Sequence, residues 1–305
     1  MQNEYSEAHH WETKFASWAK GPSPTEQEKA ANAERQIRQA INSSEKLKAR
    51  DIRVFTQGSY RNRVNVRLDS DVDVGVVCYD TYFPVYPDDN AKLLIENRNK
   101  VQDATYTYAE FKNELEEALI ARFGKAAVQR GSKAFDIKEN SYRVNADVAA
   151  FFEHRRYNKY GNYISGVEMR SDNFLKIINW PEQHYENGIR KNNDTYRKYK
   201  RIARIVKSLS NEMSRKEIIS AIKTPSFLVE CLVWNTPNHL LSQATYYSSV
   251  RETLVFLNNS TLNYSTCKEW GEVSDLKYLF NNVQPWTLQD THQFIKDAWD
   301  YIGFK

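Results

Sequence analysis

Apolar residues recur with two different periods, and the change between them divides the chain. Up to residue 173, alternating apolar and polar runs that are typical of strands are mixed with helical spacing. After that, apolar residues recur at helical spacing in "TYRKYKRIARIVKSL", "TPSFLVECLVW" and "LQDTHQFIKDAWDYI". The pattern predicts an α/β part, residues 1–173, which begins with a long helix, and then a helical part, residues 174–305.

The first part contains start and stop signals for its elements. Thr25 and Glu28 match a T-x-x-E capping box, so a long helix is predicted from there to about Lys48. A second amphipathic helix is predicted to end at Gly124. Strands are predicted for "DIRVF", for Val72–Cys78, and for "KAAVQ", "AFDIK" and "SYRVNADVAAFF", whereas the prolines of "YFPVYPDDN" predict a loop.

Aspartates set two apart precede the buried-strand pattern "VGVV". Asp69, Asp71 and Asp73 would share one face of an extended strand. Buried carboxylates side by side repel each other and call for compensating cations, and Mg²⁺ prefers such oxygen ligands. Asp147, in a later alternating run, would add a third carboxylate. We therefore predict a Mg²⁺ site, with Mn²⁺ as an alternative; "DSDVD" alone would equally suit a solvated loop or a calcium site.

A Gly-Ser pair lies shortly before these aspartates. Gly58 would allow a phosphate to approach the backbone, while backbone N–H groups and the Ser59 hydroxyl would bind its oxygens. We predict nucleotide binding by Gln57, Gly58 and Ser59. Without the nearby aspartates, "GS" would indicate only an ordinary turn.

Composition excludes several classes of protein. The net charge is +4, from 43 basic and 39 acidic residues, so composition gives no sign of a nucleic-acid coat protein. No apolar run is long enough for a membrane span, the N-terminus lacks an apolar signal core, and the three cysteines have no metal-ligand spacing. We expect a cytoplasmic monomer that needs neither a membrane nor a nucleic-acid ligand.

Taken together, Gly58-Ser59, Asp71-Val72-Asp73-Val74 and Asp147 resemble the polymerase-β-type nucleotidyltransferases. The segments "WAKGPSPTEQEKAANAERQIRQAI", "QGSYRNRVNVRLDSDVDV", "HYENGIRKNNDTYRKYKRIARIVKSL" and "PSFLVECLVWN" resemble one family of them, the bacterial cGAS/DncV-like nucleotidyltransferases (CD-NTases), and its clade E in particular. The resemblance implies an α+β fold, a mixed sheet with helices plus a C-terminal helical lobe, with the active-site cleft between them.

The same resemblance implies an activity and its residues. The family makes cyclic oligonucleotides from nucleoside triphosphates in anti-phage signalling (CBASS), so we expect a cyclic dinucleotide made from ATP, UTP or GTP with release of pyrophosphate. Asp71 and Asp73 would ligate metal, and Asp147 would help to deprotonate the attacking ribose hydroxyl. Asp69 lies outside the motif. The alternatives are an enzyme that modifies RNA ends or a protein, and an inactive nucleotide-binding regulator.

Three further predictions concern the helical part. Lys200, Arg204 and Lys207 recur on one helix face and are predicted to bind phosphates, the alternative being a solvated face. The Asn187 amide could pair with the uracil edge or, after rotation, with a purine edge, and a helix or turn cap ahead of Gly188 is its alternative. His184 is expected to be a hydrogen-bonded structural residue.

Overall fold

A computed structural model describes residues 2–66, 71–138 and 145–305 of the chain, with side chains described from Ser6 onward. Strands in these ranges are β1 (Ile52–Thr56), β2 (Val72–Val85), β3 (Val128–Arg130), β4 (Phe135–Ile137), β5 (Ala146–Tyr157), β6 (Tyr163–Arg170) and β7 (Lys176–Asn179). Helices are α1 (Gln2–Trp18), α2 (Pro24–Asn42), α3 (Gly58–Asn62), α4 (Asp89–Asn99), α5 (Tyr108–Phe123), α6 (Pro181–Asp194), α7 (Lys198–Arg215), α8 (Ile219–Lys223), α9 (Ser226–Asn235), α10 (Asn238–Leu241), α11 (Tyr246–Thr261), α12 (Tyr264–Cys267) and α13 (Leu288–Ile302).

The chain divides into two compact units. The sheet unit consists of Ser23–Arg61 and Ser70–Pro181, and the helical unit consists of Met1–Pro22, Asn62–Asp69 and Glu182–Lys305. This division differs from the expected one at residue 173. Strand β7 pairs with β6 and so belongs to the sheet, whereas α1 belongs to the helical unit because its aromatic residues are buried in the core of that unit.

The sheet unit is built around two long parallel strands. The order is β1-β2-β5-β4-β3, with β6 paired to the second half of β5 and β7 paired to β6. The pairing of β2 with β5 is parallel, and the other pairings are antiparallel. Apolar residues of α2 and α5 pack with those of the central strands in one core. This arrangement confirms the predicted α+β class.

The first predicted helix is present, with corrected ends. Its capping box is formed by Ser23 and Glu26, not by Thr25 and Glu28. Pro24 explains the difference, because proline favours the first helical position and leaves the residue before it as the cap. The helix ends at Asn42, short of Lys48, while its apolar stripe is buried as expected.

The predicted end of the second helix is confirmed, whereas the predicted loop "YFPVYPDDN" is partly wrong. The helix that carries Tyr108 ends at Gly124, which has a φ of +84°, as predicted. The loop prediction for "YFPVYPDDN" is wrong for its first residues, because β2 continues to Val85 after a register shift between Cys78 and Tyr82. Proline is tolerated in a strand where it replaces no ladder hydrogen bond.

The helical unit has one main apolar core. It gathers the buried faces of α1, α7, α9, α11 and α13, including Phe15, Tyr199, Leu232 and Phe294. Arg204 of α7 donates hydrogen bonds to the carbonyls of Ala19 and Arg63, which ties the separate segments of this unit together. Among the described helices, none is long and apolar enough to cross a membrane.

Candidate active site

Strand register brings two of the predicted aspartates together. Asp73 of β2 lies opposite Asp147 of β5, and Asp147 also lies opposite Asp136 of β4 on its other side. Residues opposite each other on neighbouring strands point to the same face of a sheet, so these three carboxylates form a row. Asp71 immediately precedes β2 and is exposed. Asp69 lies outside the described residues.

The electrostatics of Asp147 reflect this crowding. Burial raises the pKa of its carboxyl group to about 6, and the negative charges of Asp136 and Asp71, together with a hydrogen bond to Asp136, act in the same direction. The carboxylate is therefore destabilised by its neighbours, as expected where like charges converge without a cation.

The Gly-Ser turn is built against Asp73. The backbone N–H of Gln57 donates to the carbonyl of Asp73 at 2.8 Å. Gly58 has a φ of +62°, and a Cβ atom added to it would lie 2.0 Å from Oδ2 of Asp73. Glycine is thus required both by the left-handed backbone and by the carboxylate, and Ser59 follows in the first turn of α3. The predicted Gln57-Gly58-Ser59 segment and the carboxylate row are neighbours.

Oxygen ligands from Asp71, Asp73 and Asp147 are the chemical type that Mg²⁺ prefers, and the raised pKa of Asp147 indicates that a cation would relieve repulsion there. Over residues 2–66, 71–138 and 145–305, however, no group of three or more His, Cys, Asp or Glu side chains is arranged to hold a metal ion. Metal binding by these residues stays a prediction.

Helix α7 buries its predicted basic stripe. Lys200 and Arg204 are each 9% exposed and Lys207 is 3% exposed, so the solvated-face alternative is wrong. The three cations differ in their partners. Arg204 binds backbone carbonyls, Lys207 binds the Glu230 carboxylate at 2.8 Å, and the Lys200 ammonium lies 5.8 Å from the centre of the Tyr185 ring. Phosphate binding by the three stays a prediction.

Lys200 is distinct within this group because its charge is not compensated. In the part of the chain that the structure describes, its ammonium group has no hydrogen-bond acceptor and no ion-pair partner. Burial lowers its pKa, as do the nearby cations Arg63 and Arg204, while Glu230 opposes that change. A buried and unpaired ammonium favours the approach of an anion.

Glu230 of α9 was not singled out from the sequence. Its carboxylate accepts hydrogen bonds from Lys207 and from Nε2 of His184, each at 2.8 Å. Burial alone would raise the pKa of Glu230, but the charge of Lys207 and the hydrogen bonds from Lys207 and His184 reverse that effect and lower it to about 2. His184 is thus a hydrogen-bonded residue, as expected.

Asn187 lies inside α6, so the interpretation as a cap is wrong. Its amide donates to the carbonyl of Val273 at 2.9 Å and its Oδ1 accepts from Arg190. Nearby, Asn235 binds the backbone of Gly271. The C-terminal residues near 271–275 are therefore an integral part of the helical unit, and base recognition by Asn187 stays a prediction.

Asp136 was also missed at the sequence level. The run "AFDIK" places it between two buried apolar residues, which is a signal for a strand with one polar face. The sequence does not reveal that this strand pairs with β5 beside Asp147, because register between distant strands depends on the folded sheet. Glu230 had a weaker signal, a single acid in the apolar run "FLVECLVW".

Comparison with known proteins identifies the family of the chain. Residues 186–303 match the cGAS/DncV-like nucleotidyltransferase C-terminal helical domain. The chain is 39% identical over 298 residues to "Cyclic dipyrimidine nucleotide synthase CdnE" of Cecembia lonarensis, which covers 97% of this chain and 100% of the relative. A Legionella pneumophila protein of the same name is 41% identical over 298 residues, covering 96% of this chain and 98% of the relative.

A solved structure extends the likeness to three dimensions. The CdnE cyclic dinucleotide synthase of Elizabethkingia meningoseptica, solved with GTP and Apcpp, superimposes with a TM-score of 0.79 at 33% sequence identity. The match covers 96% of this chain and 99% of that one. Both the sheet unit and the helical unit are thus included in the likeness. The chain belongs to the cGAS/DncV-like nucleotidyltransferases, in their clade E of CdnE enzymes.

Proposed function

We propose that this protein joins two ribonucleoside triphosphates into a cyclic dinucleotide, with release of pyrophosphate, as a second messenger in anti-phage signalling of the CBASS type. The observation that carries the proposal is its full-length likeness to cyclic nucleotide synthases, at 36% to 41% identity for three relatives. No described feature favours the alternative of RNA-end or protein modification. Asp71, Asp73 and Asp147, the proposed catalytic residues, are all present, which argues against an inactive regulator.

The reaction consists of two chemically equivalent steps. In each one, a ribose hydroxyl oxygen bonds to the α-phosphorus of a triphosphate, the bond from that phosphorus to the leaving oxygen breaks, and pyrophosphate departs. The hydroxyl proton must be removed. Asp147 is the candidate for this role because its carboxylate lies opposite Asp73, a proposed metal ligand, in the same row.

Magnesium is the proposed cofactor, with manganese as the alternative. Asp71, Asp73 and Asp147 would hold it, because the row that Asp73 and Asp147 share supplies hard oxygen ligands close to the Gly-Ser turn. When bound, such an ion neutralises phosphate charge and lowers the pKa of an attacking hydroxyl. Independently of the ion, backbone N–H groups at Gly58 and Ser59 suit phosphate oxygens.

Within the helical unit, Lys200 is the first candidate to bind a triphosphate. Its buried ammonium group has no acceptor in the described ranges, so a phosphate oxygen would supply one. Lys207 has donors left beside the one that Glu230 uses, since an ammonium group has three. Arg204 is the weakest of the three candidates, because its guanidinium group already donates three hydrogen bonds to backbone carbonyls.

We propose that the cyclic product contains uridine. The relatives at 39% and 41% identity are named cyclic dipyrimidine nucleotide synthases, whereas one at 36% is named a cyclic dipurine nucleotide synthase. UTP is therefore the first substrate to test, with ATP and GTP as partners or competitors.

The test is incubation of the purified protein with all four ribonucleoside triphosphates and Mg²⁺ or Mn²⁺, followed by phosphatase treatment and mass spectrometry. We expect a phosphatase-resistant cyclic dinucleotide that contains uridine, and its loss on addition of a chelator. A purine-only product would contradict the base assignment alone. If only linear products or modified RNA formed, the proposed reaction would be wrong.

A further inference from the structure

A carboxylate at the centre of the helical unit connects three helices. Glu230 of α9 is 3% exposed and accepts charged hydrogen bonds from Lys207 of α7 and His184 of α6. The lysine is equally buried, and the imidazole is the more exposed member of the three. The connection therefore runs from the buried Lys207 to the partly buried His184.

Stability alone does not account for this arrangement. A buried ion pair is often no more stabilising than apolar side chains of similar volume, because both charges must leave water. Apolar residues surround Glu230 on α9, among them Val229 and Cys231 on either side. The carboxylate has a different effect, because it fixes the positions of two hydrogen-bond donors on two other helices.

One of those donors is next to the residue that contacts Lys200. Tyr185 follows His184 on α6, and its ring lies under the Lys200 ammonium. On α7, Lys200 and Lys207 are two turns apart, or about 10 Å along the axis. Glu230 thus links α6 and α7 through His184 and Lys207, and the Tyr185–Lys200 contact is a second contact between the same two helices.

The charges of this cluster do not balance. Glu230 compensates Lys207, which leaves the Lys200 charge in excess even with His184 neutral. The excess charge lies on the group that has no acceptor in the described structure. An anion with several oxygens, such as a triphosphate, complements a cation held in this way.

We propose that Glu230 is a positioning residue for nucleoside triphosphate binding. By holding Lys207 and His184 it keeps α6 and α7 in the arrangement that presents Lys200, without contacting the nucleotide itself. The inference rests on the proposed function and adds to it a residue that acts through others.

A double-mutant cycle tests the proposal. Dissociation constants for non-hydrolysable ATP and UTP analogues would be measured by calorimetry for the wild type, Glu230→Gln, Lys200→Gln and the double variant. We expect each single substitution to weaken binding by about 10-fold, the low end for a charge-assisted contact. In the Lys200→Gln background, Glu230→Gln should add less than about twofold, since its effect passes through Lys200.

Glu212→Gln is the matched control. Glu212 also joins three helices, through Lys14 of α1 and Tyr301 of α13, but it lies outside the cluster. This variant should lower the melting temperature and leave the dissociation constants unchanged. If Glu230→Gln behaves in the same way, or if its effect adds fully to that of Lys200→Gln, Glu230 is a structural residue and the proposal is overturned.

Three further outcomes bear on the proposal. Should Glu230→Gln fail to fold, His184→Gln breaks the same network from its exposed side and is expected to weaken binding with the same dependence on Lys200. Should the wild type bind both analogues but form no cyclic product, the proposed function fails while the cycle still decides the role of Glu230. A wild type that binds neither analogue overturns the inference directly.

Discussion

Asp147 has a neighbour of its own sign on each adjacent strand. Burial and the charges of Asp136 and Asp71 disfavour its ionised form in the folded state, and a cation bound at this row would relieve that repulsion. Removing Asp71, Asp73 or Asp147 should therefore affect activity and stability in opposite directions.

For activity, we expect Asp71→Ala, Asp73→Ala and Asp147→Ala each to reduce cyclic dinucleotide synthesis by at least roughly 100-fold, since several kcal/mol of charge stabilisation depend on the metal. Asp80→Ala is the control, because Asp80 lies on the same strand but pairs with Arg50 at the surface. Product yield per unit time is the measurement. Near wild-type turnover in any of the three variants would remove that residue from the metal site.

For stability, the sign follows from the raised pKa. The folded state holds the Asp147 proton more tightly than the unfolded state does, so stability falls as the pH rises from about 4 to about 6 and stays lower above that range. In chelator, Asp147→Asn should raise the free energy of unfolding at pH 7.5 by about 1 to 2 kcal/mol, after allowance for solvent screening.

The pH dependence separates this effect from others. Urea unfolding of Asp147→Asn and wild type at pH 4 should give nearly equal stabilities, because the wild-type carboxyl group is then mostly protonated in the folded state. An equal gain at both pH values would show that packing, not charge, is responsible.

Substitution of Asn187 distinguishes a structural role of this side chain from a role in selecting the base. Asn187→Ser removes the hydrogen bond to the Val273 carbonyl and should cost about 1 kcal/mol of stability. If Asn187 also reads uracil, products from competing UTP and ATP should shift toward purines. An unchanged product ratio in a destabilised variant would leave Asn187 with its structural role alone.

At the scale of elements, the turn between β1 and α3 and the strand β2 depend on each other. Gly58→Ala would place a methyl group on the Asp73 carboxylate and would strain a left-handed backbone. We expect synthesis to fall by at least about 10-fold with a stability loss of about 1 kcal/mol. Steady-state kinetics and thermal melting measure the two effects.

Gly303→Ala is the control for Gly58→Ala, because it introduces backbone strain without displacing the Asp73 carboxylate. Gly303 has a φ of +81° with no neighbouring atom within 4 Å of an added Cβ. It should show a similar loss of stability with normal synthesis. If Gly58→Ala matches this control in both measurements, the carboxylate can move without consequence and the close approach is not functional.

Elements with a strong local pattern could be predicted from the sequence, and those defined by distant pairing could not. The valines around Asp73 and the alternation around Asp147 indicate their strands, because burial on both faces requires apolar residues there. By contrast, the residues of β6 and β7 do not follow a clear apolar pattern. These strands are specified by the neighbouring strands with which they pair. The same limit applies to the candidate site: the sequence proposes Asp73 and Asp147, which the strand register places opposite each other, but the contacts of Asp136 and Glu230 arise only from packing.

At the scale of the whole molecule, the helical unit depends on the first helix. Phe15 of α1 is 0% exposed and lies in the core of that unit. Phe15→Ala should lower the free energy of unfolding by about 3 to 5 kcal/mol. Phe174→Ala is the control, since Phe174 is 89% exposed and its loss should change stability by less than about 0.5 kcal/mol. Comparable losses in the two variants, measured in urea, would contradict the assignment of α1 to that core.

The division of the chain also determines the order in which the units can fold during synthesis. Helix α1 is made first, yet the residues of its core that follow Pro22 lie after Glu182, apart from Val64. At about 5 to 20 residues per second, the ribosome needs on the order of 10 s or more to reach them. The sheet unit, which lies between, can fold during that interval. A nascent chain paused before α7 should therefore carry a protease-resistant sheet unit and an α1 segment that is still accessible to chaperones.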